Sequence, residues 1–327
     1  MKTSSVSVAI ATYNGARYLR EQLISIANQT VLPHEVIISD DGSTDGTLQV
    51  VESFAQSAPF VIKILRNEEN LGYAQNFSRA LQACSGEIVF LCDQDDVWLP
   101  YKIEFILADF EKHKNIVLVV HDLEFCTENL VPIGQTKLAR MSTDCDIQRD
   151  YVVGMATAVR QSFLRLCLPV PNLPGVAHDR WLHDCAWAVG RKFVRNEVLA
   201  LYRRHAENAT GTKSVNVDYV TNRLTFLWAR FREPSNIRGM KSIPDSPVAS
   251  WLLRQRQVLI AAGYLTEPGI DVLICQENLR TDALRERKRI LGLPRWRRVW
   301  GIAKLLRAKK YQEFFSLWSA IKDLVVR

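Results

Sequence analysis

The sequence predicts an α/β protein built on a mostly parallel sheet with flanking helices, followed by a helical C-terminal region. Over the first hundred residues, short apolar segments alternate with longer segments whose apolar residues have helical spacing. The strand segments are apolar throughout, as expected of strands covered on both faces. Polar loops with glycine or acidic residues follow three of them, and in such sheets the carboxyl ends of the strands form the ligand crevice. We therefore expect a ligand site at that edge of the sheet.

Each predicted element follows from its own local pattern. Runs rich in β-branched residues predict four strands in the first hundred residues, at 6–11, 35–39, 61–65 and 88–91. Helical spacing predicts the intervening helices at 16–28, 44–57 and 73–83. Beyond Pro100 the pattern is less regular and predicts a strand at 116–121, a helix at 176–189 and mostly helical structure from about residue 215.

The composition is that of a globular protein with reduced cysteines. The chain has 327 residues, 47% hydrophobic and 24% charged, which excludes a disordered or collagen-like protein. Seven cysteines are spread singly without a CxxC pair, and this indicates free thiols in the cytoplasm rather than disulfides or a zinc site. No run of 18 apolar residues occurs, and the apolar run near the N-terminus is too short for a signal peptide. We expect neither export nor a membrane-spanning helix.

The basic charge is concentrated at the C-terminal end. Residues 280–327 contain 14 Lys and Arg against 4 Asp and Glu, a net charge of +10, whereas residues 1–279 carry −3. On helical spacing, one stripe flanked by cations is formed by Trp296, Val299, Trp300, Ala303 and Leu306. A basic amphipathic helix with tryptophans is typical of binding to an anionic membrane surface. A helix packed on the preceding domain is the main alternative. A nucleic-acid-binding tail is a third, but no nucleic-acid motif accompanies it, so we expect no nucleic acid partner.

Three carboxylates lie close together in Asp93-Gln94-Asp95-Asp96, directly after the apolar segment IVFLC. Carboxylates this close repel one another unless a cation lies among them. Oxygen ligands of this kind suit Mg²⁺ or Mn²⁺, which can bridge a protein and the phosphates of a substrate. A solvated acidic loop, or the start of a helix before Trp98, is the alternative.

A second acidic loop, SDDGSTDG at 39–46, follows the second predicted strand. Ser43 or Thr44 is expected to cap the next helix, and the glycines allow a tight turn. A carboxylate in this loop could accept hydrogen bonds from a base N–H or from a ribose hydroxyl. Tyr13, in the loop after the first strand, could stack on a base, or it could be a partly buried turn residue.

Taken together, these loops resemble those of a known enzyme family. The motifs TYNG, SDDGSTDGT, NEENLGYAQNFSRAL and FLCDQDDVWLP, in that order, are similar to those of family 2 glycosyltransferases with the GT-A fold. Within them, DQDDVW resembles the bacterial rhamnosyltransferase-type branch. GVAHDRW and LYRRHAENATG extend the resemblance, which covers residues 6 to about 212. It implies a GT-A catalytic domain at 1–212, with a nucleotide-sugar half at about 1–115 and an acceptor half at about 116–212. A helical region follows at 213–327.

The resemblance also implies which residues contact the nucleotide. Those that would bind the nucleoside are Thr12, Tyr13, Asn14 and Asp41, with Asp41 on the base. Those that would close over the nucleotide and its first phosphates are Asn70, Leu71, Gly72 and Asn76.

For the metal and the chemistry, the resemblance implies a DxD pair formed by Asp93 and Asp95. Asp93 would also contact the nucleotide sugar, Asp95 would be the principal metal ligand, and the role of Asp96 is left open. Asp179 falls where such enzymes carry the catalytic base, with a helix N-cap as the alternative. His205 falls where the family often has a residue that contacts the metal or the diphosphate, with a surface histidine as the alternative.

The function that the resemblance implies is inverting glycosyl transfer with Mg²⁺ or Mn²⁺. The donor would be a nucleoside diphosphate sugar, dTDP- or UDP-linked, with L-rhamnose as a candidate sugar. The acceptor would be a glycan or a polyprenyl-linked glycan in surface polysaccharide biosynthesis, at the cytoplasmic face of the cell membrane. One alternative is a nucleotidyltransferase, which is expected to have a glycine-rich loop with a basic residue where this chain has TYNG. Another is a non-catalytic, membrane-bound scaffold.

Overall fold

The computed structural model describes residues 4–141, 146–205, 245–311 and 317–325. The chain divides into two units, Met1–Asn208 and Ala209–Arg327. The boundary predicted between residues 212 and 213 lies outside the described residues and stays a prediction.

The first unit combines strands and helices in the part of the chain that is described. Its strands are β1 Val6–Thr12, β2 Glu35–Asp40, β3 Val61–Arg66, β4 Ile88–Cys92, β5 Val97–Trp98, β6 Leu118–Cys126, β7 Pro132–Thr136, β8 Thr157–Arg160 and β9 Lys192–Arg203. Its helices are α1 Ala16–Ala27, α2 Thr47–Ala55, α3 Tyr73–Ala83, α4 Lys102–Lys112, α5 Ile147–Asp150, α6 Gln161–Cys167 and α7 His178–Ala188. The second unit contributes α8 Pro247–Ala261, α9 Glu267–Leu291, α10 Arg295–Arg307 and α11 Leu317–Val325.

The sheet places the three polar loops at one edge. Within the described residues the strand order is β3-β2-β1-β4-β8-β6-β9-β5, with β7 paired to β6. The first four strands are parallel, with Thr12 beside Asp40 and Ile10 beside Cys92. β1, β2 and β4 are buried at nearly every position, as their apolar sequences predict. The predicted α/β class is confirmed, and the carboxyl ends of β1, β2 and β4 lie together.

The parallel arrangement is less extensive than the sequence pattern predicted. β8 is antiparallel to β4 and β6, β5 is antiparallel to β9, and β6 and β9 are parallel. A buried strand has the same apolar pattern in either direction, so the residue pattern could not distinguish the two. The pairing of Val97 with Leu201 brings the segment after the first acidic loop next to the end of β9.

The helix after the second acidic loop begins later than predicted. The expectation that Ser43 or Thr44 caps this helix is wrong, because the N-cap residue of α2 is Gly46. Ser43 Oγ donates to Asp40 Oδ2 at 2.6 Å, and the Thr44 N–H donates to Asn14 Oδ1 at 2.9 Å. Both residues therefore tie the loop to β2 and to the loop after β1.

Glu35, the first residue of β2, connects the parallel strands near their amino ends, away from the polar loops. Its carboxylate accepts hydrogen bonds from Ser7 Oγ at 2.6 Å, Ser85 N at 2.7 Å and Lys63 Nζ at 2.7 Å. Burial disfavours the charged form, but these hydrogen bonds outweigh burial and lower the pKa of Glu35 to about 2. One carboxylate thus joins β1, β2, β3 and the turn before β4.

In the second unit, α10 has two different faces. A small core is formed by Ile290, Ile302, Leu305, Tyr311 and Ala320. On the other side of α10, Trp296 and Trp300 are 68% and 80% exposed. The predicted apolar stripe is therefore exposed, while a different face of the same helix packs within its own unit. None of the described helices combines the length and the apolar character needed to cross a bilayer.

Candidate active site

Asp41 is the buried centre of the loops after β2 and β3. Its carboxylate accepts hydrogen bonds from Leu71 N at 2.8 Å, Gly72 N at 2.9 Å and Asn67 Nδ2 at 2.7 Å. Only 2% of Asp41 is exposed. The side chain therefore holds the loop at residues 70–72 beside β2. Its expected contact with a base stays a prediction, and little of the side chain is accessible for it.

Two asparagines complete the network around Asp41. Asn70 Nδ2 donates to the Asp41 carbonyl at 3.2 Å, and Asn76 Nδ2 donates to the Thr12 carbonyl at 3.2 Å. Gly72 has a φ of +79°, a conformation that favours glycine. Thr12 and Asn76 are buried, so their side chains position these loops and offer little surface to a ligand.

The loop after β1 presents an exposed aromatic ring. Tyr13 is 51% exposed, and its backbone N–H donates to Gln94 Oε1 at 3.0 Å. The Asn14 N–H donates to Ser43 Oγ at 2.9 Å. This loop therefore lies between the two acidic loops. Among the residues expected to bind the nucleotide, Tyr13 and Leu71 have exposed side chains with apolar surface.

Two of the carboxylates after β4 lie in surroundings that disfavour their charge. Burial, together with the carboxylates of Asp95 and Asp179, raises the pKa of Asp93 to about 8. Burial also raises the pKa of Asp96 well above its usual range, and Asp95 and Asp93 add to the shift. Asp96 Oδ1 accepts from Arg203 N at 2.9 Å, but Oδ2 has no hydrogen-bond partner among the described residues. The solvated-loop alternative is wrong, because Asp96 is fully buried and Asp93 and Asp95 are only partly exposed.

A buried lysine lies close enough to influence these carboxylates. Lys102 Nζ donates to the Met155 carbonyl at 2.6 Å and lies 3.7 Å from the centroid of the Trp98 ring. Burial lowers the pKa of Lys102 to about 7, although Asp96 and Asp93 favour its charged form. Lys102 therefore supplies only part of the positive charge that the acidic loop requires.

Asp95 pairs with a histidine that comes from the far end of the sheet. His205 Nε2 lies 2.8 Å from Asp95 Oδ2, and both side chains are largely buried. The preceding strand is anchored here because Arg203 Nε donates to the Asp95 carbonyl at 2.8 Å. The His205 ring also lies 4.7 Å from the ring of Tyr18, between centroids. The surface-histidine alternative for His205 is therefore wrong.

The acidic loop fits a divalent cation that a substrate would help to bind. The described residues contain no group of three or more His, Cys, Asp or Glu side chains arranged around a metal position. The Asp95–His205 pair offers two ligands, and in the part of the chain that the structure describes Asp96 Oδ2 has no hydrogen-bond partner. Mg²⁺ usually keeps only one or two protein carboxylates and takes its other ligands from water and substrate phosphates. The Asp95–His205 pair matches the small number of protein ligands that such an ion takes.

Asp179 lies in the first turn of α7, near the acidic loop. The N-cap residue of α7 is Ala177, so the N-cap alternative for Asp179 is wrong. Asp179 Oδ1 accepts a hydrogen bond from Arg180 N at 2.7 Å. Its charge contributes to the raised pKa of Asp93, so the two carboxylates face the same region. A carboxylate in this position could take a proton from a group bound beside the acidic loop.

His178, next to Asp179, connects α7 with α3. Its ring stacks on Phe77 of α3 with 3.8 Å between centroids, and neither ring nitrogen has a hydrogen-bond partner among the described residues. Burial lowers the pKa of His178 to about 4, so the imidazole is neutral at pH 7. α3 begins directly after Gly72, so this contact links the loop held by Asp41 to the helix that carries Asp179.

Comparisons with known proteins identify the family. A family model described as glycosyl transferase family 2 matches residues 7–165. The dTDP-rhamnosyl transferase RfbG of Shigella flexneri is 31% identical over 227 residues, which cover 62% of this chain and 73% of that protein. This chain belongs to glycosyltransferase family 2. An uncharacterised glycosyltransferase of Nostoc sp. is 31% identical over 213 residues, 62% of this chain. The chain covers 66% of the Nostoc protein and 59% of an uncharacterised Mycobacterium tuberculosis protein, less than two thirds of each.

Two solved structures share the fold of this chain. A crystal structure of S. aureus TarS with UDP-GlcNAc has a TM-score of 0.56 and 20% identity, covering 97% of this chain and 91% of that chain. The mannosyltransferase PcManGT of Pyrobaculum calidifontis, in complex with GDP-Man and Mn²⁺, has a TM-score of 0.50 and 17% identity. That match covers 99% of this chain and 87% of PcManGT. The predicted GT-A fold is confirmed.

Family 2 membership favours glycosyl transfer over the nucleotidyltransferase alternative. Within the described residues, the structure brings His205 to Asp95 and the loop at residues 70–72 to Asp41. It does not gather the DxD pair and His205 around one metal position in the described residues. The sequence pattern did not indicate roles for Gln94, Lys102 and His178. Gln94 and His178 lie inside recognised motifs, whereas a lysine at the start of a helix carries no signal.

Proposed function

We propose that this glycosyltransferase moves a sugar from a nucleoside diphosphate donor to a hydroxyl of a glycan or polyprenyl-linked acceptor, with inversion, in surface polysaccharide biosynthesis. The observation that carries the proposal is the grouping of polar loops at the carboxyl edge of β1, β2 and β4. Tyr13 is exposed at this edge, in the loop after β1. The neighbouring loop, after β4, carries Asp95, which pairs with His205. The charge of Asp179 contributes to the raised pKa of Asp93 in the same loop. The reaction needs adjacent binding surfaces for the nucleoside, the diphosphate and the acceptor hydroxyl, and the carboxyl edge of such a sheet is where ligands bind.

In this mechanism Asp179 is the general base. An acceptor hydroxyl is a poor nucleophile at neutral pH, so a carboxylate must take its proton as the new bond to the anomeric carbon forms. The bond between that carbon and the diphosphate breaks in the same displacement. Asp95 and His205 would hold Mg²⁺ or Mn²⁺, and a cation bound there would offset negative charge that develops on the diphosphate. A single direct displacement inverts the anomeric carbon.

We propose dTDP-L-rhamnose as the first donor to test. The DQDDVW motif supports this choice, as does the 31% identity with RfbG, a dTDP-rhamnosyl transferase. The fold neighbours TarS and PcManGT were solved with UDP-GlcNAc and GDP-Man, and these define the competing donors.

A thermal-shift panel tests the donor assignment. The purified protein is heated with dTDP-L-rhamnose, UDP-GlcNAc or GDP-mannose, each with and without Mn²⁺. One donor is expected to raise the melting temperature, because a ligand that binds the folded state stabilises it. The rise should require Mn²⁺, because the cation would bind the donor's diphosphate. The absence of a shift with every donor would contradict the proposal. Slow hydrolysis of the donor that binds then separates an enzyme from a non-catalytic scaffold.

We also propose that α10 attaches the enzyme to an anionic membrane surface on the cytoplasmic side. Trp296 and Trp300 are exposed, and the cations Arg297, Lys304 and Arg307 on the same helix are exposed as well. Each basic residue near such a surface contributes roughly 1 kcal/mol. The tryptophans would add burial at the interface between lipid headgroups and acyl chains.

A further inference from the structure

Gln94, between the two aspartates of the DxD pair, bonds to the main chain of the loop after β1. Its Oε1 accepts from the Tyr13 N–H at 3.0 Å, and its Nε2 donates to the Tyr13 carbonyl at 3.2 Å. One side-chain amide therefore satisfies both main-chain polar groups of Tyr13, as a neighbouring strand would. Because Asp93 and Asp95 flank Gln94, this contact joins the acidic loop to the loop with the exposed ring.

Gly15 leaves the room that the Gln94 amide needs. A Cβ atom at Gly15 would lie 2.2 Å from Gln94 Oε1 and 2.5 Å from its Cδ, far closer than such atoms approach. The backbone itself does not require glycine here, because Gly15 has a φ of −105°. The Gln94 amide therefore occupies the space that a side chain at position 15 would fill, and a larger residue there would displace it.

The other side of the same loop is also anchored. The Asn14 N–H donates to Ser43 Oγ at 2.9 Å, and Asn14 Oδ1 accepts from the Thr44 N–H at 2.9 Å. Asn14 has a φ of +48°, in the left-handed region that asparagine tolerates better than most residues. The Tyr13 ring is thus left exposed between two anchored segments, one of which depends on Gln94.

We propose that Gln94 is a positioning residue that orients Tyr13 for stacking on the nucleoside base of the donor. The inference rests on the proposed function and adds a physical link between the base site and the diphosphate site. A ring that is held in place before binding loses less conformational freedom when the ligand arrives, and this improves affinity. Gln94 acts through Tyr13 and does not itself need to touch the donor.

Calorimetry on the full chain tests this with two ligands in the presence of Mn²⁺. One is whichever of dTDP, UDP or GDP binds the wild type most tightly, and the other is inorganic pyrophosphate, which has no base. Gln94→Met keeps the side-chain length but removes both hydrogen bonds, and Gly15→Ala keeps the amide but displaces it. Each variant should weaken nucleoside diphosphate binding about tenfold, the effect of losing one to two ordinary hydrogen bonds. Pyrophosphate affinity should change less than about twofold, which is under half a kcal/mol.

A double variant makes the test independent of nonspecific damage. In a Gln94→Ala background, Gly15→Ala should have no further effect, because the amide that it displaces is gone. Three outcomes would overturn the proposal: unchanged nucleotide affinity in a folded Gln94→Met protein, equal weakening of both ligands, or an additive effect of Gly15→Ala. If the wild type binds no nucleoside diphosphate, the proposed function fails first and this inference fails with it. Thermal melting of each variant confirms that the protein tested is folded.

Discussion

At the end of β4, acidic groups lie in surroundings that disfavour their charged forms. Burial raises the pKa values of Asp93 and Asp96, and it lowers that of Lys102, so the three groups do not neutralise one another well. A divalent cation beside Asp95 would favour the charged carboxylates. Its binding is therefore expected to lower the pKa of Asp93 and to release protons.

Replacing Asp95 by Asn is expected to abolish both cation-dependent nucleotide binding and transfer, because the pair with His205 loses its carboxylate ligand. The measurement is the Mn²⁺-dependent rise in melting temperature with nucleotide, followed by the transfer rate. Glu111→Gln, which removes an exposed carboxylate on α4, is the control and should behave as the wild type. Full transfer in excess EDTA, or in the Asp95→Asn protein, would show that the metal assignment is wrong.

Replacing Asp179 by Asn should separate binding from chemistry. The amide keeps the oxygen that accepts the Arg180 N–H but cannot take a proton from an acceptor hydroxyl. The turnover rate is therefore expected to fall by about 10² or more, while donor affinity stays near that of the wild type. Steady-state kinetics and donor calorimetry measure the two effects. A variant that loses donor affinity and keeps its turnover would place Asp179 in the donor site instead.

At the scale of the elements, the parallel strands are stabilised by a charged group at the end away from the site. Glu35 accepts hydrogen bonds from residues before β4, in β1 and in β3. Its pKa of about 2 lies below the ordinary value of 4.5, so folding favours the charged form. A depressed pKa of this kind gives stability that is fully present above pH 4.5 and is lost as the pH falls through about 2.

Glu35→Gln is therefore expected to lower the free energy of unfolding at pH 7 by on the order of 2 kcal/mol. The difference from the wild type should shrink as the pH falls from 4.5 towards 2. Urea unfolding at several pH values measures both quantities. Glu52→Gln, which removes an exposed carboxylate paired with Arg66, serves as the control and should have a small effect at every pH. A difference that does not depend on pH would contradict the assigned role of Glu35.

At the scale of the whole molecule, charge is distributed unevenly along the chain. Residues 280–327 carry +10, and the preceding residues carry −3. Ile302 and Leu305 of α10 are buried, so removing the tail would expose the core of the second unit. Point substitutions on the exposed face are therefore a better test of membrane binding than truncation.

Trp296→Ser combined with Trp300→Ser is expected to reduce co-sedimentation with vesicles that contain phosphatidylglycerol. The remaining cations should still give weak, salt-sensitive binding, because only the interfacial burial is removed. Leu253→Ser combined with Val272→Ser, which alters exposed apolar residues of α8 and α9, is the matched control and should bind as the wild type does. Equal losses in the two variants, or no binding by the wild type at low salt, would contradict the role of α10.

Local patterns predicted the elements well where one face or both faces are buried. α3 was predicted at the residues where it occurs, and β1, β2 and β4 differ from expectation by one residue at one end. The start of α2 was wrong because the side chains expected to cap it bond to other segments instead, Ser43 to Asp40 and Thr44 to Asn14. Asn14, which bonds to both Ser43 and Thr44, is about 30 residues away in the chain, so the local pattern could not reveal it.

By itself, the sequence determined the α/β class and the family, and it supplied the candidate site residues as predictions, because apolar periodicity and ordered motifs are local properties. Only the tertiary structure decided which of those residues meet. His205 contacts Asp95 across 110 residues, and Gln94 contacts Tyr13 across 81. The tertiary structure also decided the direction of β8 and which face of α10 remains exposed. The physical reason is that hydrogen bonding, burial and the resulting pKa shifts depend on atoms that only folding brings together.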